Sequence, residues 1–529
     1  MQFHFYTVMK SLKNVSFDRL TEQFIRRAGS GCACITASNR QKIFYLLVFF
    51  VTLFLLKYRW DYFIMAATMI MAFWYFAAVI FRCSASALSL WGRAERFVSD
   101  AALSVIKDEN LPVYTIFLPL YKEANIVDKI LKNIAALDYP KDKLDVKLLL
   151  ENDDLTTIEA IQYCRLPDYC EIIIIPGMNP KTKPRACNYG LERAKGEFCV
   201  IFDAEDRPET DQLKKAWFVF YNSPKNLACI QAKLNYENSR FNWLTRFFTI
   251  EYSTTFDLLL PGLSMMRVPI PLGGTSNHFR TELLRQCGGW DPFNVTEDCD
   301  LGLRIYKAGF TTCVLDSTTW EEANSQLWNW VRQRSRWVKG FIQTHLVHSR
   351  RPLQTLQQLG LRGFLGFYLS VGASSFMMLA NVFFWAAGLI YLGLLTHALT
   401  NGETLSSAVI GPQIFDGYQG LRLGWLRLQV WPLFYWGPDE NQFWAVLSVL
   451  LFGISMLLLT ANLLFIAIHI TACLKRRYYS LIPMALLMPF YWLLISFAAW
   501  KGFIQLFTKP FYWEKTNHGL CRNEEGKPS

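Results

Sequence analysis

Four clusters of polar side chains have residue types and an order that could do chemistry on a phosphorylated substrate. They are, in chain order, Glu151-Asn152-Asp153-Asp154, Asp203-Ala204-Glu205-Asp206, Thr296-Glu297-Asp298 and Gln333-Arg334-Ser335-Arg336-Trp337. Carboxylate oxygens bind Mg²⁺ and related cations, and a carboxylate can also act as a general base. Arginine neutralises phosphate groups, and tryptophan offers an apolar surface to a ring. The set therefore predicts a nucleotide site, a metal site, a base and an acceptor site.

The second cluster predicts a site for a divalent cation and a diphosphate. Asp203, Glu205 and Asp206 follow an apolar stretch and offer oxygen ligands a few ångströms apart. The alternative is a solvated acidic turn ahead of a helix, where carboxylates are favourable anyway. Lys183 could reach a phosphate as a point charge, although a solvated lysine would look the same in the sequence.

The third and fourth clusters predict proton transfer and acceptor binding. Asp298, next to Glu297, could take a proton as a general base, although carboxylates also cap helix N-termini. Gln333, Arg336 and Trp337 have the spacing of one helix face. On that face arginine would neutralise a diphosphate and tryptophan would support a ring, whereas an amphipathic interfacial helix would show a similar pattern.

Short apolar and β-branched runs predict that these clusters lie on an α/β fold. The runs cover residues 113–118, 146–150, 171–175 and 198–202. Helix-like stretches at 126–136 and 185–194 alternate with them, which favours a mostly parallel sheet. Because ligands bind at the carboxyl ends of parallel strands, the polar clusters that follow these runs should meet at one edge.

The composition indicates a membrane protein. Of the 529 residues, 52% are hydrophobic, 16% are aromatic and only 18% are charged. An ordinary soluble enzyme of this size is less apolar. The formal net charge of +11 suits a nucleotide diphosphate or an anionic lipid surface. The basic residues are dispersed and form no nucleic-acid-binding motif, so we expect no nucleic-acid partner.

Cysteine and histidine usage gives no metal signature. The 13 cysteines form no CxxC pair, and Cys32 and Cys34 are the only close pair. We interpret them as reduced core thiols, which favours a cytosolic location for the polar part of the chain. His345 and His348 share one side of a predicted helix without nearby ligand partners, so we expect surface histidines rather than a metal site.

Apolar runs flank the polar region on both sides. Runs at 43–56 and 62–81 predict a transmembrane hairpin. The first run is shorter than the roughly 20 residues a span needs, so it must recruit its neighbours or re-enter the membrane. Further runs cover 365–395, 443–473 and 481–507. Pro489 predicts a break in the last run, and the basic turn 475–477 predicts a cytoplasmic loop.

These features predict six segments. They are a cytoplasmic basic tail (1–42), a transmembrane helical hairpin (43–81), a linker (82–111), a cytosolic domain with interfacial helices (112–350), C-terminal transmembrane helices (351–510) and a cytoplasmic C-terminal segment (511–529).

Taken together, these residues resemble the membrane-integrated family 2 glycosyltransferases of the cellulose, chitin and hyaluronan synthase type. The resemblance covers about 112–344 and rests above all on the T-E-D string ending at Asp298 and the Q-x-x-R-W string beginning at Gln333. The string 203–209 and the C-terminal string 511–519 look most similar to bacterial exopolysaccharide synthases. The resemblance implies a GT-A type domain, with a mostly parallel sheet, inserted between transmembrane helices.

The resemblance also implies roles for individual residues. Nucleotide binding falls to Tyr121, Glu123, Glu151, Asp153, Lys183 and Asp203. The family's D-x-D appears here as Asp203-Ala204-Glu205 followed by Asp206, so either Glu205 or Asp206 must be the second metal ligand. The order Glu151-Asn152-Asp153 likewise leaves open which carboxylate meets the nucleotide base. Mg²⁺ and Mn²⁺ are both candidates for the metal.

A C-terminal segment of such synthases closes over the nucleotide. By resemblance, Trp513, Lys515 and Thr516 would have this gating role here. The alternative is an aromatic and basic anchor at the membrane interface.

The resemblance implies inverting, processive transfer from a nucleotide sugar, with UDP as the nucleotide, to a β-linked polysaccharide exported through the membrane helices. The alternatives are a glycolipid glycosyltransferase and a non-catalytic nucleotide-binding scaffold. The expected partners are a nucleotide sugar, a glycan or lipid acceptor, membrane lipids, and regulatory or export subunits. The expected location is a bacterial-type inner membrane, crossed several times, with the glycosyltransferase domain in the cytoplasm.

Overall fold

The computed structural model describes residues 17–92, 94–400, 415–416, 420–421 and 459–516. Most of the apolar run at 443–473 and the first 16 residues of the predicted tail lie outside these ranges. The proposed gating residues Trp513, Lys515 and Thr516 lie inside them.

The polar region between the apolar helices forms an α/β domain whose centre is a mixed sheet. Its strands are β1 (Tyr114–Leu120), β2 (Leu144–Glu151), β3 (Cys170–Ile175), β4 (Phe198–Ile201), β5 (Arg207–Pro208), β6 (Leu227–Tyr236), β7 (Asn277–Arg280) and β8 (Thr311–Glu321). They are ordered β3-β2-β1-β4-β7-β6-β8-β5. The first four strands are those that the apolar runs predicted.

The sheet is mostly parallel, as predicted. Strands β1, β2, β3 and β4 pair in parallel, as do β6 and β8. Strand β7 is antiparallel to both β4 and β6. It therefore begins at the edge where β4 ends, and the loop before it, 273–276, lies beside the ends of the parallel strands. The sequence alone did not reveal this reversal.

Helices cover both faces of the sheet. Outside the candidate membrane helices, the helices of the α/β domain and of the N-terminal segment packed on it are Arg19–Ala28, Asp100–Ser104, Val127–Ala135, Leu155–Tyr163, Lys183–Glu192, Gln212–Tyr221, Trp243–Thr254, Leu260–Met265, Thr281–Gln286, Glu297–Lys307 and Leu327–His348. On one face Ile130 and Phe220 pack against β1 and its neighbours. On the other, Leu191 and Trp290 form a second core. Burial on both faces explains why the strands read as continuous apolar runs.

Four helices among the described residues are long and apolar enough to cross a membrane. They are Asn39–Tyr58, Met69–Trp91, Pro352–Phe383 and Met488–Thr508, and a shorter apolar helix covers Leu459–Lys475. The first gains length because the Ser38 side chain caps it together with Gln41, so that it begins before the apolar run. The helix thus includes residues on both sides of the apolar run 43–56.

The hairpin and the C-terminal helices differ in detail from their predicted bounds. The hairpin's second helix, Trp60–Trp91, extends into the stretch predicted as a linker. The last apolar run divides into Ile482–Ala485 and Met488–Thr508, with Pro489 in the first turn of the longer helix, as predicted. A single π-helical turn, Tyr368–Gly372, joins Pro352–Phe367 to Ala373–Thr400.

The predicted basic tail contains a packed segment. Its helix Arg19–Ala28 lies against the α/β domain, and Cys32 and Cys34 are buried with it. Asp18 caps that helix and accepts a hydrogen bond at 2.7 Å from Arg185, which is only 1% exposed. A buried ion pair of this kind ties residues 17–34 to the domain.

Candidate active site

A single cavity of about 980 Å³ opens at the carboxyl ends of β1, β2 and β4. Among the residues that line it are Tyr121, Glu123, Glu151, Lys183, Asp203, Glu205, Glu297, Asp298, Gln333, Arg336, Trp337, Trp513, Lys515 and Thr516. These positions are far apart in the sequence, and the sheet topology brings them to one place.

Asp206 does not line this cavity, which corrects its place among the predicted metal ligands. Its side chain is buried behind Asp203, where it accepts a hydrogen bond from the backbone N–H of Asp203 at 2.8 Å and another from the Thr275 hydroxyl. Burial raises the pKa of Asp206 well above its ordinary value, and the charges of Asp203 and Glu205 raise it further. Asp206 therefore positions Asp203.

Asp153 is the other predicted site residue that the structure leaves outside the cavity. It forms an ion pair with Lys181 at the surface. Glu151 lines the cavity, and its carboxylate lies 3.5 Å from the Arg185 guanidinium. Burial raises the pKa of Glu151 to about 7, and Arg185 opposes that rise. Of the two carboxylates proposed to meet the nucleotide base, only Glu151 faces the site.

Glu297 and Asp298 begin the helix Glu297–Lys307 at the cavity wall. The backbone N–H of Cys299 donates to Asp298 Oδ1 at 2.7 Å. Burial raises the pKa of Asp298 to about 6, against the lowering effects of that hydrogen bond, Lys183 and Arg336. Burial raises the pKa of Glu297 to about 8, and the negative charge of Asp298 contributes to that rise. Asp298 is thus the more acidic of the pair and the better placed to be ionised at neutral pH.

Lys183 bridges the second cluster and the loop before β7. Its ammonium group donates to the carboxylate of Asp203 and, at 2.7 Å, to the carbonyl of Gly274. Burial alone would lower the pKa of Lys183, but Asp203 and Glu297 together raise it. Lys183 therefore stays positively charged beside the carboxylates, which suits a role against a phosphate.

The helix Leu327–His348 carries the Q-x-x-R-W side chains to the cavity. The guanidinium of Arg336 lies 4.2 Å from the ring centre of Trp513. Its Nε has no hydrogen-bond partner among the described residues. Trp337 stacks with Tyr252, and Gln333 accepts a hydrogen bond from Asn324 at 2.8 Å. Arg336 thus has donor capacity available to a ligand in the cavity.

The C-terminal segment 511–516 reaches the loop after β1, the predicted nucleotide loop. Lys515 donates to the carbonyl of Tyr121 and, at 3.0 Å, to that of Lys122, and it lies 3.4 Å from Glu123. Thr516 is buried. Of the predicted gating residues, Lys515 thus contacts the predicted nucleotide loop, whereas Trp513 lies against Arg336. Their gating role stays a prediction.

Asp203 and Glu205 are the predicted metal ligands that line the cavity. Within the part of the chain that the structure describes, no group of three or more His, Cys, Asp or Glu side chains could hold a metal by itself. Two carboxylates beside Lys183 and Arg336 instead suit a divalent cation that takes its remaining oxygens from a diphosphate and water. Asp203 and Glu205 would hold that cation, whose charge would offset the charge of the diphosphate.

Three further groups in the cavity were missed from the sequence. Glu251 lines it and is held by Arg334 and, at 2.7 Å, by the Tyr491 hydroxyl. Phe17, from the N-terminal segment, also lines it, as does Glu321 at the end of β8. No short motif surrounds these residues. The one available signal was that Arg334 sits within the Q-x-x-R-W string.

The expectation of two surface histidines was wrong for His348. This residue is 5% exposed and shares a hydrogen bond of 2.7 Å with Asp300. The Lys307 ammonium group lies 3.0 Å from its other ring nitrogen. These partners come from the neighbouring helix Glu297–Lys307, which the local sequence around His348 could not indicate.

Comparison with known proteins places the domain in a family. Residues 112–340 match the family model described as glycosyltransferase like family 2. This segment is similar to the catalytic domains of family 2 glycosyltransferases. The α/β architecture with a mostly parallel mixed sheet agrees with the predicted GT-A type fold. The match supports a transferase enzyme.

The following curated relatives each match less than half of this chain. A probable glycosyltransferase of Bacillus subtilis is 27% identical over 44% of this chain and 56% of its own length. A probable glucomannan 4-beta-mannosyltransferase of Arabidopsis thaliana is 25% identical over 44% and 54%. A beta-monoglucosyldiacylglycerol synthase of Nostoc is 24% identical over 45% and 50%. The chain spans about half the length of the curated relatives it matches.

Proposed function

We propose that this protein transfers a sugar from a nucleotide sugar to an acceptor at the membrane, with inversion at the sugar's anomeric carbon. The observation that carries the proposal is the continuity of one cavity. It contains the carboxylates of Asp298 and Asp203 at its cytosolic end and reaches Ser374 and Met378 on a membrane helix. A donor and a membrane-associated acceptor could therefore meet inside it.

In the proposed reaction Asp298 is the general base. It takes the proton from the acceptor hydroxyl, which attacks C1 of an α-linked nucleotide sugar and gives a β-linked product. The Cys299 N–H holds Asp298 Oδ1, while Oδ2 faces Gly274, where an added Cβ would lie 3.4 Å away. Lys183 and Arg336 supply positive charge to the departing diphosphate.

The nucleotide would bind at the other end of the cavity. Glu151, oriented by Arg185, is placed to meet the base, and Tyr121 and Glu123 lie on the loop after β1. Lys515 covers that loop. We propose UDP as the nucleotide on the resemblance to the synthases of this superfamily.

We propose that the acceptor is a growing polysaccharide exported through the membrane helices. The Q-x-x-R-W helix and the C-terminal segment across the nucleotide loop support this reading. A glycolipid product is the second candidate. Both kinds of protein, a glucomannan mannosyltransferase and a glycolipid synthase, are among the relatives of the domain. Extraction of a labelled product into organic solvent would favour the glycolipid.

We also propose that the glycosyltransferase domain is cytoplasmic, in a bacterial-type inner membrane. The basic turn after Leu459–Lys475 lies on the same side as the domain, because Arg476 donates to Asp257 at 2.5 and 3.0 Å. Lys475 lies 3.1 Å from Glu95. Basic loops favour the cytoplasmic side of a membrane, which supports this orientation.

Replacement of the proposed base tests the function. We expect Asp298→Asn to lower the rate of transfer by about 10²- to 10⁴-fold, since general-base catalysis contributes about that much. Nucleotide binding, measured by titration calorimetry on the full-length protein, should persist. Asp142→Asn, which removes an exposed carboxylate, is the matched control and should keep the wild-type rate. Near-normal turnover in Asp298→Asn would show that another group is the base.

A further inference from the structure

We infer that Arg82 binds an anionic group carried by the acceptor, at the membrane end of the catalytic cavity. This inference rests on the proposed function and adds a substrate class to it. Arg82 lies on the membrane helix Trp60–Trp91 and lines both the catalytic cavity and an adjoining cavity of about 130 Å³ between the membrane helices. It therefore stands where an acceptor would pass from the membrane to Asp298.

The hydrogen bonds of Arg82 leave donor capacity unused. One terminal nitrogen, Nη2, donates to the Ser374 hydroxyl. The enclosed Nε has no hydrogen-bond partner among the described residues, and no described carboxylate lies within ion-pair distance of the guanidinium. An arginine in a membrane segment is costly without a partner, and such residues commonly mark a substrate pathway.

The nearby carboxylate is already occupied. Glu251 acts electrostatically on Arg82. However, both oxygens of Glu251 accept hydrogen bonds from Arg334, one of them at 2.7 Å, and Tyr491 adds another at 2.7 Å. Two guanidinium groups thus face one carboxylate, which leaves one net positive charge. Among the described residues that line the adjoining cavity, Arg82 is the basic one and Glu251 the acidic one, histidine apart. An anion from the acceptor would balance the remaining positive charge.

The surroundings suit an anion attached to a larger group. The Ser370 hydroxyl, also on the wall of the catalytic cavity, is buried without a hydrogen-bond partner among the described residues. Leu259 and Met378 supply apolar walls close to Arg82. Guanidinium and hydroxyl donors recognise a lipid phosphate or the carboxylate of an acidic sugar by the same chemistry.

Paired acceptors test the inference and separate these two sources. Full-length protein in phosphatidylcholine nanodiscs would receive phosphatidylglycerol or diacylglycerol as one pair. The second pair would be a glucuronate-containing oligosaccharide and a neutral cello-oligosaccharide of equal length. Native mass spectrometry measures binding of each compound, independently of turnover, and nucleotide diphosphate release measures use as an acceptor.

We expect the wild-type protein to prefer the anionic member of one pair by about tenfold, since hydrogen bonds to charged groups are the stronger kind. The pair that shows the preference identifies the source of the anion. Arg82→Gln should remove the preference and leave nucleotide-sugar binding unchanged. Arg362→Gln, on an exposed part of Pro352–Phe367, should keep it.

Two outcomes would overturn the inference. One is a preference that survives in Arg82→Gln. The other is a wild-type protein that binds both members of each pair equally, a result that stands whether or not the variant folds. If anion binding at Arg82 is found but no donor is turned over, the anion site stands while its role in acceptor binding falls with the proposed function, so the two failures are distinguishable.

Discussion

At the scale of single residues, the ionisation of Asp298 decides whether a base is available. Burial raises the pKa of Asp298 to about 6, and Lys183 is among the groups that oppose the rise. A base must be unprotonated, so kcat/KM for transfer should increase as pH rises through about 6 and level off above it. Lys183→Gln should shift this rising limb of the pH–rate profile to higher pH, because the variant loses a positive charge that favours the ionised carboxylate of Asp298.

A pH–rate profile in each variant checks this prediction. Lys132→Gln, which changes an exposed lysine, should leave the limb in place. A limb near the ordinary pKa of an aspartate, unmoved by Lys183→Gln, would contradict the assignment of Asp298.

The sequence predicted the residue types of the site better than their partners. Strings such as T-E-D and Q-x-x-R-W are local, so they can be recognised in the sequence. Nearly all of the candidate side chains in these strings line one cavity. The place of Asp206 depends on Thr275, 69 positions away in the chain. Such a contact exists only once β7 is inserted beside β4, which no local pattern indicated.

At the scale of elements, the helix Leu327–His348 connects the turn that carries the proposed base Asp298 to the candidate membrane helix Met488–Thr508. A Cβ on its Gly340 would lie 2.4 to 2.7 Å from atoms of Thr296, and a Cβ on Gly502 would lie 2.4 Å from the carbonyl of Ser335. The helix therefore touches the T-E-D turn on one side and the last membrane helix on the other. Both contacts require glycine because the backbones approach so closely.

Gly340→Ala should push this helix away from the T-E-D turn. We expect kcat to fall by about tenfold or more and nucleotide affinity to change little, since misplacement of a catalytic group acts on the chemical step. Overpacking should also destabilise the protein by about 1–3 kcal/mol. Steady-state kinetics and thermal unfolding measure the two effects.

Gly393→Ala is the control, because a Cβ there meets no atom within 4 Å. Wild-type kcat in Gly340→Ala would show that the helix does not hold the base in place.

The positions of the strands and helices were largely predictable from the sequence, because strand and helix periodicities are local. The packing of residues 17–34 was not, since it depends on distant partners such as Arg185.

At the scale of the whole molecule, the cavity joins two environments. One end lies at the sheet, where we propose that the nucleotide binds, and the other end is lined by Arg82 and Ser374 on candidate membrane helices. Composition predicted both parts but not their contact. We propose that one continuous site transfers sugar, with inversion, from a cytosolic donor to a membrane-side acceptor.

The most direct test is product analysis with purified full-length protein in nanodiscs and a panel of labelled α-linked nucleotide sugars. We predict that a donor in this panel releases nucleotide diphosphate in step with sugar transfer, and that nuclear magnetic resonance shows a β-linkage. For the polysaccharide proposal, the product should grow long and stay out of organic solvent. An α-linked product, or nucleotide binding without transfer from any donor, would contradict the account.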